Sequence, residues 1–147
     1  MPAAHLEERG ITVGIRDILN KEIILFDGAM GTMLQQNGLK LGQNPEILNF
    51  TSEDIIKNIY RDYIEAGSKV ITLNTFGANE LKLDGTGYSV EDVFKKAMEI
   101  AKEVKGKDIF VAADIGPIGQ LLEPMGTLSF DRAYEIFKRQ VKLMVLI

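Results

Sequence analysis

The side chains able to do chemistry are few in kind. The 147 residues include no cysteine and a single histidine, His5. Disulfides and thiolate metal sites are therefore excluded within this chain, and so is a site built from several histidines. A serine–histidine–aspartate triad would have only His5, in a polar leader, to draw on. Local chemistry falls to carboxylates, amides, hydroxyls and backbone groups, and three short stretches gather them. The first is Asp27-Gly28, where a carboxylate can accept hydrogen bonds from a ligand ammonium group and a glycine lets the backbone come close. The second is Asn74-Thr75-Phe76-Gly77-Ala78-Asn79. Asn74 and Thr75 both donate and accept, so they can read the polar groups of an α-amino acid, and Asn79 can join them. The third is Asp114-Ile115-Gly116-Pro117, an acid followed by a fixed turn. Each has a structural alternative. Asp27 can serve the start of the following helix, Asn74 and Thr75 can satisfy loop backbone, and Asp114 can support neighbouring loops.

All three stretches follow a short apolar run. Ile23-Ile24-Leu25-Phe26 reads as a strand buried on both faces, and residues 69–73 and 109–113 read as two more strands. Between them lie helical patterns. A short helix falls within residues 11–21, and another spans 29–36 and stops at Gly38. Residues 39–50 have loop composition. A hydroxyl at Thr51 or Ser52 opens a helix whose face is Ile55, Ile56, Ile59, Tyr60, Tyr63 and Ile64, with Gly67 as terminator. Ser89 caps the next helix, which runs to about Lys105. Ser129 caps a last helix with the stripe Phe130, Ala133, Tyr134, Phe137, Val141, Met144 and Val145.

Strand and helix alternate three times, which implies a parallel sheet with right-handed crossovers. Long connections follow the strands and short turns precede them, as in (β/α) barrels whose carboxyl-end loops build the active site. The expected fold class is α/β: the amino-terminal part, about three βα units, of a (β/α)8 TIM-type barrel. Residues 1–10 read as a polar leader and 11–147 as the partial barrel. A closed barrel takes roughly 250 residues, so this stretch is expected to belong to a longer protein. The open edge of such a sheet invites self-association.

The balance of charge narrows the partners. Net charge is −4 with no long basic block, which argues against nucleic acid. No apolar run approaches the roughly 20 residues of a membrane span, and the charged start is unlike a signal peptide. A cytoplasmic location is the expectation.

Taken together, the stretches Asp27-Gly28-Ala29-Met30-Gly31-Thr32-Met33-Leu34, Asn44-Pro45-Glu46, Leu48-Asn49, Thr72 to Asn79 and Asp114-Ile115-Gly116-Pro117 resemble the homocysteine S-methyltransferase family. The resemblance runs from about Ile15 to the end of the chain. It implies a barrel that moves a methyl group to the sulfur of homocysteine. It also implies a zinc ion on three cysteines, which makes the substrate sulfur a thiolate. Donors in the family include cobalamin, betaine and sulfonium compounds. For a cobalamin-dependent member the donor is methylcobalamin, carried by a donor domain elsewhere in the protein. By the same resemblance Asp27 holds the substrate amino group. Gly28, Asn74, Thr75, Phe76, Asn79 and Asp114 complete the substrate-binding set. The zinc cysteines are expected beyond Ile147, so no catalytic or metal-binding residue is assigned within this chain, and the chain alone is expected to be inactive. The alternative is a non-catalytic half-barrel that binds a ligand or pairs with itself.

Overall fold

The computed structural model describes residues 14–146. The polar leader and His5 lie outside them, as do the first residues of the expected 11–21 helix. What is described of that helix is one turn, α1 (Ile15–Ile18). It is followed by α2 (Met30–Gln36), a 3₁₀ turn at Pro45–Ile47, α3 (Leu48–Thr51), α4 (Glu53–Glu65), β1 (Val70–Thr72), α5 (Val90–Val104), β2 (Phe110–Ala112) and α6 (Phe130–Leu146).

β1 and β2 run parallel, with Val70 opposite Phe110 and Thr72 opposite Ala112. On the far side of β1, Phe26 forms a single parallel bridge to Val70. The expected first strand is therefore reduced to one bridging residue, held by Asp27 N–H donating to Val70 C=O and by Leu25 C=O accepting from Lys69 and Val70. It is also not buried on both faces, since Ile23 is 88% exposed and Leu25 and Phe26 are more than half exposed. Its hydrogen bonds all go to the β1 side, and no described strand pairs with its other edge. A segment paired on one side only keeps neither a regular ladder nor a covered outer face.

The helices cover one face of this sheet. The stripe on α4 buries Ile56, Ile59 and Tyr60, and that on α5 buries Ala97, Ile100 and Ala101. Together with Leu34, Ile71, Leu73 and Ile109 they form the main core, with Met30 and Met33 packed against it. A second cluster of Ala78, Leu83, Val90, Val93 and Phe94 sits above it. Phe50 and Tyr88 stack beside that cluster at 4.0 Å between ring centroids. Outside the core, Lys57 bridges Glu53 of α4 to Glu103 of α5.

Local signals act at three helix ends. Ser89 accepts from Asp92 N–H while the Asp92 carboxylate accepts from Ser89 N–H, a reciprocal cap. Ser129 Oγ accepts from Arg132 N–H at the start of α6. Gly67 ends α4 at φ +105°, where a side chain would be strained.

Three expectations change. Residues 39–50 are not loop throughout: Asn44 accepts from Glu46 N–H, and Pro45 fits the first turn of the helical pair that follows. Ser52 occupies the N-cap of α4, but its hydroxyl does not cap, and Thr51 Oγ donates back to Ile47 C=O. The stripe is buried in part: Ala133, Ile136 and Gln140 are buried and Phe137 and Met144 pack against the core clusters, whereas Phe130, Tyr134, Val141 and Val145 are exposed. Gln140 is part of the buried face, and its amide donates to Ala78 C=O at 2.8 Å inside the fold. No described element covers the opposite face.

Candidate functional site

The parallel register brings Phe26, Val70 and Phe110 into one row, so the residues beyond them emerge at the same carboxyl end. Asp27, Asn74–Asn79 and Asp114 all lie there. Asp27 is half-buried, and each carboxylate oxygen accepts one bond from Thr72, Oδ2 from the backbone N–H and Oδ1 from Oγ1, both at 2.7 Å. An ionised carboxylate has about four acceptor positions, so Asp27 keeps roughly two for a ligand donor. Gly28 lies beside Tyr63, where a Cβ would come within 2.7 Å of the phenol oxygen. Tyr63 in turn donates to Ala29 C=O, which closes the turn.

Asn74 and Thr75 are buried, and their side chains serve the loops. Asn74 Nδ2 donates to Pro45 C=O and to Asn49 Oδ1, and Asn49 Nδ2 returns a bond to Asn74 C=O. Asn74 N–H donates to the Tyr60 hydroxyl. Thr75 Oγ1 donates to Asp114 C=O and accepts from Asp114 N–H, which ties the β1 end to the β2 end. Asn79 Oδ1 accepts from the N–H groups of Leu81 and Lys82, while its buried Nδ2 has no partner. Phe76 is different. The residue is 51% exposed, with the Lys82 ammonium 5.8 Å from the ring centroid. The structure thus brings the seven predicted residues to one end of the sheet. It divides them into groups open to solvent (Gly28, Phe76 and, in part, Asp27 and Asp114) and groups spent on holding the loops (Asn74, Thr75, Asn79).

Sequence reasoning left Glu46 out of the site. It is 2% exposed, and its Oε1 accepts from Gly77 N–H at 2.5 Å. Burial pushes its carboxyl above the ordinary glutamate range, opposed by the Gly77 hydrogen bond and, more weakly, by Lys82. Its place in Asn44-Pro45-Glu46, inside a stretch read as loop, was the only signal that could have found it.

Among the described residues no group of three histidine, cysteine, aspartate or glutamate side chains could hold a metal, and the chain has no cysteine. These residues do not fit a thiolate zinc site.

A parallel βα array with its polar groups gathered at the carboxyl end is the arrangement of a (β/α) barrel unit. The profile for homocysteine S-methyltransferase matches residues 24–147, and the chain belongs to that family. Methionine synthase of Mycobacterium tuberculosis (strain ATCC 25618 / H37Rv) is 38% identical over 129 residues, covering 78% of this chain and 11% of the relative. Methionine synthase of Mycobacterium leprae (strain TN) is 36% identical over 97 residues, covering 60% of this chain and 8% of that protein. The chain thus spans about a tenth of the length of the curated relatives it matches. The metallated form of the homocysteine methyltransferase MmuM from Escherichia coli superimposes with a TM-score of 0.72 at 19% identity. The match covers 89% of this chain and 53% of that one, so the fold is that of about half a TIM-type barrel.

Proposed function

We propose that this chain forms the homocysteine-binding amino-terminal part of a zinc-dependent methyltransferase that converts homocysteine to methionine. The observation that carries the reading is the Asp27 carboxylate, oriented by Thr72 at the carboxyl end of the sheet with acceptor capacity to spare. An ammonium group placed there gains charge-assisted hydrogen bonds to a carboxylate that is already aimed. Gly28 lets the Tyr63 ring pack against the turn that carries Asp27, and the Phe76 ring gives an apolar wall against which the thioether or thiol arm can lie. Asn74, Thr75 and Asn79 keep these groups in register through the loops, and Asp114 stands at the third strand end. A zinc ion held by cysteines outside this chain would keep the substrate sulfur as a thiolate, and no cysteine of this chain is there to hold it. A methylcobalamin donor on a separate domain accords with the likeness to methionine synthases. No helix among the described residues is long and apolar enough to cross a membrane. A cytoplasmic location goes with this reading.

The test is calorimetric titration of L-homocysteine into the chain, and kinetics in the full-length protein that carries it. Asp27→Ala is expected to lower kcat/KM for homocysteine about 10- to 100-fold, the worth of a charged hydrogen bond, with zinc content near normal. Unchanged homocysteine kinetics would remove Asp27 from the site. Purified Met1–Ile147 is expected to make no methionine from homocysteine and a methyl donor.

A second reading is a half-barrel that pairs with itself. It is favoured by the exposed Ile23, Leu25 and Phe26 along one edge and by Phe130, Tyr134, Val141 and Val145 on α6. Sedimentation of the chain across a concentration series separates the two: a stable dimer without homocysteine binding supports the module.

A further inference from the structure

The peptide unit joining Phe76 to Gly77 is gripped at both ends. Its carbonyl, on Phe76, accepts from Gly116 N–H at 2.8 Å, and its N–H, on Gly77, donates to Glu46 Oε1 at 2.5 Å. Gly116 belongs to the loop after β2, and Glu46 lies in the connection that follows Asp27 and α2. One peptide plane of the middle loop is thus held by the loops on either side of it. A peptide plane has one rotational freedom about the line joining its Cα atoms, and hydrogen bonds on its opposite edges remove that freedom.

The glycines at 77 and 116 accord with this grip. A Cβ on Gly77 would stand 2.9 Å from both Glu46 carboxylate oxygens, and a Cβ on Gly116 would stand 2.5 Å from Phe76 C=O. Both partners therefore approach closer than any other residue would allow. Glu46 is costly where it sits: its Oε2 is buried without a partner. An apolar side chain would fill the space at less cost, and what the carboxyl group adds is the bond that Oε1 accepts from Gly77 N–H. The residue delivered by the gripped peptide is Phe76, which is 51% exposed.

We propose that Glu46 is a positioning residue for substrate binding, clamping the Phe76–Gly77 peptide so that the Phe76 ring stands as a fixed wall of the pocket. This rests on the reading that Phe76 lines the homocysteine site, but the clamp itself is tested without homocysteine. The chain contains no tryptophan, so Phe76→Trp installs a single fluorophore at the ring position. In that background Glu46→Ala is expected to lower the steady-state anisotropy of the introduced indole and to raise its acrylamide quenching about twofold. Glu46→Gln keeps an acceptor for Gly77 N–H and is expected to restore both. In the otherwise unchanged chain, Gly77 amide exchange is expected to quicken about 10- to 100-fold in Glu46→Ala and by less than about threefold in Glu46→Gln. A folded Glu46→Ala protein with unaltered indole anisotropy and Gly77 exchange overturns the proposal. Should Glu46→Ala fail to fold, the unsubstituted chain decides: a protected Gly77 amide supports the clamp, and one exchanging as fast as the exposed loop amides overturns it. Calorimetry with L-homocysteine is read separately. Absence of heat there sinks the substrate reading, while the clamp stands or falls on the fluorescence and exchange.

Discussion

Asp27 and Thr72 meet through two bonds, the carboxylate of one spanning the backbone N–H and the hydroxyl of the other at 2.7 Å each. The pair joins the end of a segment that makes only one bridge to the edge of β1. It therefore substitutes for the ladder that residues 23–26 lack. A double-mutant cycle with Asp27→Ala and Thr72→Val should give a coupling of about 1 kcal/mol, since Thr72→Val removes only the hydroxyl bond. Asp27→Ala alone should cost about 1.5–3 kcal/mol in urea unfolding. Additive single effects would show that the hydroxyl bond is not made in solution.

Two glycine substitutions should differ in cost although both are crowded. A Cβ at Gly28 meets the far end of the half-buried Tyr63 ring, which can swing outward, whereas a Cβ at Gly116 meets the Phe76 carbonyl, which is fixed backbone. Gly28→Ala should cost about 1 kcal/mol and Gly116→Ala about 3 kcal/mol, near the upper range for overpacking. At about 2–4 °C per kcal/mol for a domain of this size, Gly116→Ala should melt several degrees below Gly28→Ala. Equal melting temperatures would mean that the β2 loop yields as readily as a side chain.

Tyr60→Phe removes the acceptor for Asn74 N–H, deep in the main core. A buried N–H left without a partner costs about 1–3 kcal/mol, and chemical denaturation should show that loss. Burial holds the Tyr60 hydroxyl protonated well above the usual tyrosine range, so the loss should be the same from about pH 6 to pH 9. A loss that varies over that interval would count against this account.

Stability should carry a pH dependence of unusual sign from one residue. Burial raises the Glu46 carboxyl, so the folded chain holds that proton more tightly than the unfolded chain. Its contribution is complete below the ordinary glutamate range, about pH 4, and is lost as pH rises through the raised value. The groups facing it work the other way: Gly77 N–H and Lys82 both favour the ionised form, and burial outweighs them. Glu53, Glu91 and Asp92 behave in the usual sense. Lys57 and then Lys96 lower Glu53, Arg139 lowers Glu91, and the Ser89 hydroxyl lowers Asp92. Their contributions are present above the ordinary carboxylate range and fade as pH falls through the lowered values. The two ion-paired acids weaken with salt. Urea midpoints from about pH 4.5 to 8 should therefore fall less steeply in Glu46→Gln than in the unsubstituted chain. Parallel profiles would place the Glu46 proton elsewhere.

Much of this protein can be read along the chain because much of it is local. The Ser89 cap, the Gly67 stop and the apolar stripes of α4 and α5 depend on residues within about one or two helical turns of each other, so periodicity and cap chemistry suffice. The parallel βα order followed from the same signals, and it placed Asp27, Asn74 and Asp114 at one end of the sheet. What the tertiary structure decided depends on partners far apart in sequence. Asp27 and Thr72 are 45 residues apart, and Glu46 and Gly77 are 31. Whether a polar side chain at a strand end faces a ligand or a neighbouring loop is set by which loop lies beside it, and that choice turned Asn74 and Thr75 inward and left Phe76 outside. The same holds for apolar faces. Residues 23–26 and the Phe130, Tyr134, Val141 and Val145 positions of α6 have the composition of buried surface, but burial needs a second surface, and only folding determines which surfaces meet.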